Sequence, residues 1–275
     1  MANNPLQKFF RQPKIFINLP SKGQYNNPGE ITGDVTKLPV YGMNGMDEIL
    51  IKTPDALLTG ESTVKVIESC CPSITDGWTV SNLDLELILA AIRIATYTNS
   101  ITVGHTCEHC QTENEYDLEL SKIIDYYNHI TFDSRAVLKD VVVKLRPLCY
   151  KEVTEFSQRN FELRQKLESA ATIEDSVEKS KEMSRLYEAY GSLQVEVYSA
   201  NITAIEVGST IVNERAFINE WLVNTEKSTF DQIKVHIDKN TQLWETPPQL
   251  AQCESCGKEN TLRVALDHSS FFATA

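Results

Sequence analysis

CEHCQTENEYDLEL, residues 107–120, and CESCGKENTLRVAL, residues 253–266, decide how this chain is read. Each opens with two cysteines separated by two residues, runs through Glu-Asn, and continues into a strand-like alternation. A two-residue gap lets both thiolates of one tight turn reach the same ion, and two such turns complete a tetrahedral four-sulfur shell. The expected ligand set is therefore Cys107, Cys110, Cys253 and Cys256, the expected ion is Zn2+, and the expected unit is one zinc ribbon assembled from two distant knuckles. Four thiolates leave no position open for water, so such a metal closes structure and does not catalyse. Two separate incomplete sites, disulfides or redox pairs are the competing readings. A redox Cys-x-x-Cys pair normally sits at a helix N-terminus, whereas polar turns and strands follow both pairs here.

The other three cysteines carry less. Cys70 and Cys71 end an expected helix beside Pro72, and Cys149 follows Pro147 near a helix start. Seven cysteines, two pairs of them closely spaced, and no secretory leader pattern fit synthesis in a reducing cytosol. No stretch is apolar for long enough to span a bilayer.

At 275 residues and 41% hydrophobic, the chain can bury a substantial core. Its net charge of -12 argues against a general nucleic-acid binder, an important negative because zinc ribbons often touch nucleic acid. KFFRQPK, residues 8–14, is locally basic and reads as a solvated arm or a docking segment.

Along the chain, Lys14 to Leu19 alternates as a strand, and Pro20-Ser-Lys-Gly23 turns it toward a second strand within residues 29–40. Met46 to Ile51, under an Asn44 cap, and Ser62 to Cys70 read as short helices. Leu83 to Tyr97 carries three charged residues and reads as a buried helix, with Ser81 and Asp84 spaced as a capping box. Residues 101–103 and 116–120 are strands on either side of the first knuckle, and Ser121 caps a short helix after it. Val141 to Leu145 is a further strand. Lys151 to about Val207 reads as two helices broken near Thr172 to Asp175, an antiparallel insertion that returns the chain to its start. Residues 213–223 form another helix, and Ser228 with Asp231 caps one in which Phe230, Ile233 and Ile237 share a face. Pro247 and Pro248 redirect the chain into the second knuckle, and residues 261–272 read as a strand ending in Phe271 and Phe272. The expected fold is α+β, a mainly helical body with short strands. Its expected parts are an extended arm and hairpin (1–45), a core with the first knuckle (46–148), a helical insertion (149–244), and the second knuckle with its strand (245–275).

Catalytic signals are sparse. His105 and His109 flank and occupy the first knuckle, while His129, His236 and His268 lie in no catalytic motif. Asp84, Glu86, Glu113, Glu115, Asp117 and Glu119 read as solvated carboxylates, and no phosphate loop, nucleophile elbow or HExxH motif is present. The chain is therefore expected not to be an enzyme.

FINLPSKG (16–23), VTKLPVYGMNGMDEILIKTPDALLTG (35–60) and the two knuckles together resemble the hub and assembly proteins of contractile-tailed phage baseplates, especially the T-even-like ones. The points of likeness are the turn at Leu19 to Gly23 and the turn into a short acidic helix at Met43, Asn44, Gly45, Asp47 and Glu48. They cover residues 10–125 and 245–273. This resemblance implies a structural or assembly role in a baseplate hub, in the virion tail after assembly in host cytoplasm. It also implies contact with other hub or tail proteins, with a homo-oligomer among the options. A zinc-ribbon regulator that binds protein or nucleic acid, or an enzyme using an acidic site, are the rival readings.

Overall fold

A computed structural model describes residues 5–52 and 59–262. The chain divides into two compact units: Phe132–Gln242 forms one, and the residues before and after it form the other. This partition differs from the four-part expectation, because Val142–Leu145, expected in the core part, pairs with Ile202–Val207 inside the expected insertion.

The first unit begins with β1 (Ile15–Ile17), antiparallel to β2 (Leu38–Val40), with Ile15 opposite Val40. Ile17, Leu19, Leu38 and Val40 are all buried, so this segment is a layer of the core and not a free arm. Before it, Phe9 and Phe10 stay exposed, while the Arg11 guanidinium donates to Gly42 O at 2.8 Å and Ser69 O at 2.6 Å. Helix α1 (Gly45–Ile51) starts as expected: Asn44 accepts from the backbone of Met46 and Asp47, and Asp47 accepts in return from Asn44 N. Helix α2 (Glu61–Cys70) buries Val64, Val66 and Ile67.

Helix α3 (Asn82–Thr96) is the centre of this unit, with eleven buried residues including Leu85, Leu87, Ile88, Leu89 and Ile92. Its Ser81 cap accepts from Leu83 N, but Asp84 does not close a capping box. It reaches instead to the distant turn after β1, where Ser21 N donates to Oδ1 at 2.8 Å and Ser21 Oγ donates to Oδ2. That turn holds Lys22 and Gly23 at positive φ, a geometry glycine adopts without strain. Gly42 lies against the C-terminal turn of α3, where a Cβ would come within 2.7 Å of Ala95 O. Gly42→Ala is therefore expected to destabilise the first unit by about 1–3 kcal/mol, the range for overpacking, in urea titrations; an unchanged midpoint would show that the backbone yields freely.

Strands β3 (Ser100–Thr106) and β4 (Glu113–Glu119) form an antiparallel hairpin in unbroken register, from Ser100 opposite Glu119 to Thr106 opposite Glu113. Helix α4 (Leu120–Tyr127) follows. Its start is not capped by Ser121; Asn99 does that work from outside, accepting from Ser121 N and donating to Ser121 Oγ.

In the second unit β5 (Arg135–Val137), β6 (Val142–Leu145), β7 (Ile202–Val207) and β8 (Thr210–Val212) make an antiparallel sheet in that order. Between neighbours β6 and β7 runs a long pair of helices, α5 (Tyr150–Ala171) and α6 (Ser176–Ala200). Val153, Phe156, Asn160, Leu163, Leu167 and Ala170 recur at steps of three and four and are the least exposed side of α5. Met183, Leu186, Tyr190, Leu193 and Val197 do the same on α6, the seam of an antiparallel coiled-coil hairpin. Arg159 and Glu196 bridge the two helices through two parallel hydrogen bonds.

Two expectations fail in this unit. The helical reading to Val207 overran, because α6 stops at Ala200, and Ile202 and Ile205 enter the sheet core. The short alternation with β-branched residues, turned at Gly208 with φ 59°, outweighs the helical context before it. Helix α7 (Arg215–Asn224) matches its expected place, but α8 (Lys227–Gln242) begins before Ser228, so that serine is not its cap. Ile218, Leu222, Ile233 and Ile237 pack on Val143, Leu145 and Ile205, and Phe230 meets Tyr198 edge-on at 5.6 Å.

The two ends of the second unit are tied together: Asp133 N donates to Asn240 Oδ1 at 3.1 Å, and Asn240 Nδ2 donates back to Asp133 O at 2.9 Å. The chain therefore leaves this unit beside where it entered. Returning to the first unit, Tyr126 and Tyr127 donate to the carbonyls of Leu243 and Trp244. The hairpin of β9 (Gln249–Gln252) and β10 (Glu259–Leu262) closes the described chain. The expected strand beyond Leu262, with His268, Phe271 and Phe272, lies outside the described residues, as does the TPDALL segment.

Candidate metal centre

Each knuckle is the turn of one hairpin, and the same backbone bonds build both. Cys107 N donates to Thr112 O and Gln111 N to Cys107 O, each at 2.9 Å. Cys253 N donates to Lys258 O and Gly257 N to Cys253 O, again each at 2.9 Å. The fifth residue of each turn takes a left-handed conformation, Gln111 at φ 59° and Gly257 at φ 66°. Neither pair starts a helix, so the support that redox pairs draw from a helix N-terminus is missing.

Cys107, Cys110, Cys253 and Cys256 converge, with all four sulfurs within 4.8 Å of one another. The short distances cross between knuckles: Cys107 to Cys256 is 3.8 Å and Cys110 to Cys253 is 3.6 Å. A tetrahedral four-thiolate site with metal–sulfur bonds of about 2.3 Å places its sulfurs about 3.8 Å apart. The donor set therefore fits a metal ion. In each knuckle the first cysteine is buried and the second exposed.

The electrostatics point the same way. Burial opposes ionisation of Cys107, but the N–H groups of Cys110 and His109 and the side chain of Asn260 outweigh it and bring the thiol down to about 6. The Cys256 N–H leads in lowering Cys253. At Cys256 the Lys258 N–H favours the thiolate, yet desolvation and the neighbouring sulfurs push the thiol up to about 11. Four negative sulfurs do not share this space without a cation between them.

Two side chains that the motif reading passed over complete the centre. Asn114 and Asn260 are both buried, each seven residues beyond the first cysteine of its knuckle. Asn114 Oδ1 accepts from Glu254 N at 3.2 Å, and Asn260 Oδ1 accepts from Glu108 N at 3.3 Å. The repeated Glu-Asn in the two flanks was the signal that marked them.

The remaining candidates lie elsewhere. His105 is half-buried on β3 two residues before Cys107, and His109 contributes its backbone to the Cys107 sulfur. His129 bonds Asp125 O, and His236 bonds Asp133 O. Glu113, Glu115, Asp117 and Glu119 are exposed on the outer face of β4. Two of the carboxylates expected to be solvated are not: Asp84 is 1% exposed, because the Ser21 turn covers it, and Glu86 on the same helix is half-buried. Burial holds the Cys70 thiol up at about 12 and raises those of Cys71 and Cys149, which makes all three poor nucleophiles.

The family described as T4 bacteriophage base plate protein matches residues 13–273. The chain belongs to this family. The match takes in both knuckles and also the helical hairpin, whose sequence had been the least diagnostic part of the resemblance to hub proteins. Comparison with curated proteins and with solved structures yields no match. Membership in a baseplate family carries a general structural role in that assembly, and among the described residues no helix is long and apolar enough to cross a membrane.

Proposed function

We propose that this baseplate-family protein is a non-enzymatic component or assembly factor of a contractile tail baseplate hub, acting in the virion tail. In this reading Cys107, Cys110, Cys253 and Cys256 hold Zn2+, which stabilises the shape that binds other hub or tail proteins. The observation that carries it is the cross-knuckle fit of four thiols to a tetrahedral shell inside a chain matched to the baseplate family over residues 13–273. A shell filled by four protein sulfurs leaves no position for a reacting water, so the ion acts as a staple.

Two surfaces suit partner contact. Phe9 and Phe10 are 73% and 55% exposed on a segment that Arg11 anchors, and Phe161 and Tyr187 are exposed on the helical hairpin. Aromatic side chains of this kind anchor protein interfaces. The balance of charge, -12, goes against a nucleic-acid partner.

Native mass spectrometry of freshly reduced protein tests the metal half. One zinc per chain is expected, with none in a Cys253→Ser/Cys256→Ser variant. Reconstitution of baseplates with and without the chain tests the other half, and assembly that proceeds equally well without it would overturn the proposed role.

A further inference from the structure

The two halves of the ribbon are joined by more than their sulfurs. Asn114 sits on the first hairpin, yet its oxygen holds the backbone N–H of Glu254 on the second; Asn260 sits on the second and holds Glu108 on the first. Each amide is steadied from its own side, Asn114 Nδ2 donating to Thr112 O at 2.9 Å and Asn260 Nδ2 to Lys258 O at 3.4 Å. Both side chains are buried, at 7% and 3% exposure, where an unpaired amide is costly. The bonded N–H in each case belongs to the residue directly after the first, buried cysteine, so each asparagine fixes the opposite turn at the point from which its thiol projects.

We infer that Asn114 and Asn260 are reciprocal positioning residues that bring the two knuckles into register before the metal binds, so that zinc enters a shell already assembled. This inference rests on the proposed metal site, and it assigns to that site an order of events. The clamp's backbone bonds, to Glu254 N and Glu108 N, involve no sulfur, although Asn114 Oδ1 also accepts from Cys253 Sγ at 3.6 Å. The exposed position of Cys110 and Cys256 leaves a route for the ion into the folded ribbon. Groups that orient metal ligands typically change metal affinity by about 10–100-fold when removed.

The test is amide exchange, read residue by residue, on reduced full-length protein kept metal-free with a chelator, together with competition measurements of zinc affinity. In the metal-free wild type, the Glu108 and Glu254 amides are expected to be protected. Asn114→Ala should lower protection of Glu254 about tenfold or more while sparing Glu108, and Asn260→Ala should do the reverse. Each substitution should weaken zinc binding by about 10–100-fold. Where an alanine variant does not fold, Asn114→Asp and Asn260→Asp carry the test, since each keeps the accepting oxygen and should retain the crossed protection. Loss of protection confined to the mutated hairpin, or no protection in the metal-free wild type, would overturn the clamp. Crossed protection in a protein that binds no zinc would uphold the clamp and remove the metal reading instead.

Discussion

Removal of zinc is expected to lower the melting temperature of the first compact unit by about 8–16 °C and to leave the second unit where it was. The estimate follows from linkage: a ligand present at a thousandfold its dissociation constant stabilises the folded state by about 4 kcal/mol. For a unit of this size each kcal/mol moves the midpoint by about 2–4 °C. The effect should be local because all four sulfurs belong to the first unit, while Val143, Ile205, Ile233 and their neighbours form a separate core in the second. Calorimetry of reduced protein with zinc and with chelator reads the shift, and amide exchange at Val143 and Ile205 reports on the second unit. Cys107→Ser should match the chelated protein and gain nothing from added zinc. A single transition unmoved by chelation would show that the sulfurs contribute no metal-dependent stability.

The second large effect concerns Asp84. Asp84→Ala would leave the Ser21 N–H and hydroxyl without their partner in a site where Ser21 is only 2% exposed. Each stranded polar group costs about 1–3 kcal/mol, so a loss of about 2–6 kcal/mol is expected in urea titrations. The carboxyl also carries a pH signature. Burial pushes its pKa up to about 6, against the bonds from Ser21 that favour the charged form. An unfolded aspartate titrates near 3.9. The folded state therefore binds the proton more tightly, and the stability contributed by this group is full below about pH 4 and lost as pH rises through about 6. Two units correspond to about 3 kcal/mol. Asp84→Asn keeps the shape, offers an oxygen to Ser21 N and an N–H₂ to Ser21 Oγ, and has no proton to lose. The stability difference between wild type and Asp84→Asn should thus change by about 2 kcal/mol between pH 4 and pH 7. Taking the difference cancels the other titrating groups, the thiols included. A difference that stays flat across this range would mean that Asp84 ionises as freely folded as unfolded.

These two sites differ in how much of them could be read in advance. The four cysteines were legible because metal chemistry imposes a spacing, and a spacing survives in one dimension. The helices were legible where a period was strong, in the apolar run of α3 and in the three-and-four steps of α5 and α6. Local caps divided. Asn44 capped its helix as its position indicated, whereas Ser81 with Asp84, and Ser228 with Asp231, carried the capping-box spacing without closing a box. Asp84 was claimed by Ser21, which a motif confined to neighbouring residues does not reveal. Strand β7 was misread because six residues of alternation follow a long helix, and its partner β6 lies on the other side of the helical hairpin.

By itself, then, the sequence determined the ligand types, their two-by-two grouping, the α+β character and the helical insertion, since each depends on chemistry or periodicity within a short window. Only the tertiary structure decided which residues meet. It joined Asp84 to Ser21, drew β1 and β2 into the core, began the second unit at Phe132, and set Asn114 and Asn260 across the ribbon from the backbones they hold. The physical reason is common to all of these: a buried polar group must find a partner, and folding supplies that partner from wherever in the chain the packing brings one within reach.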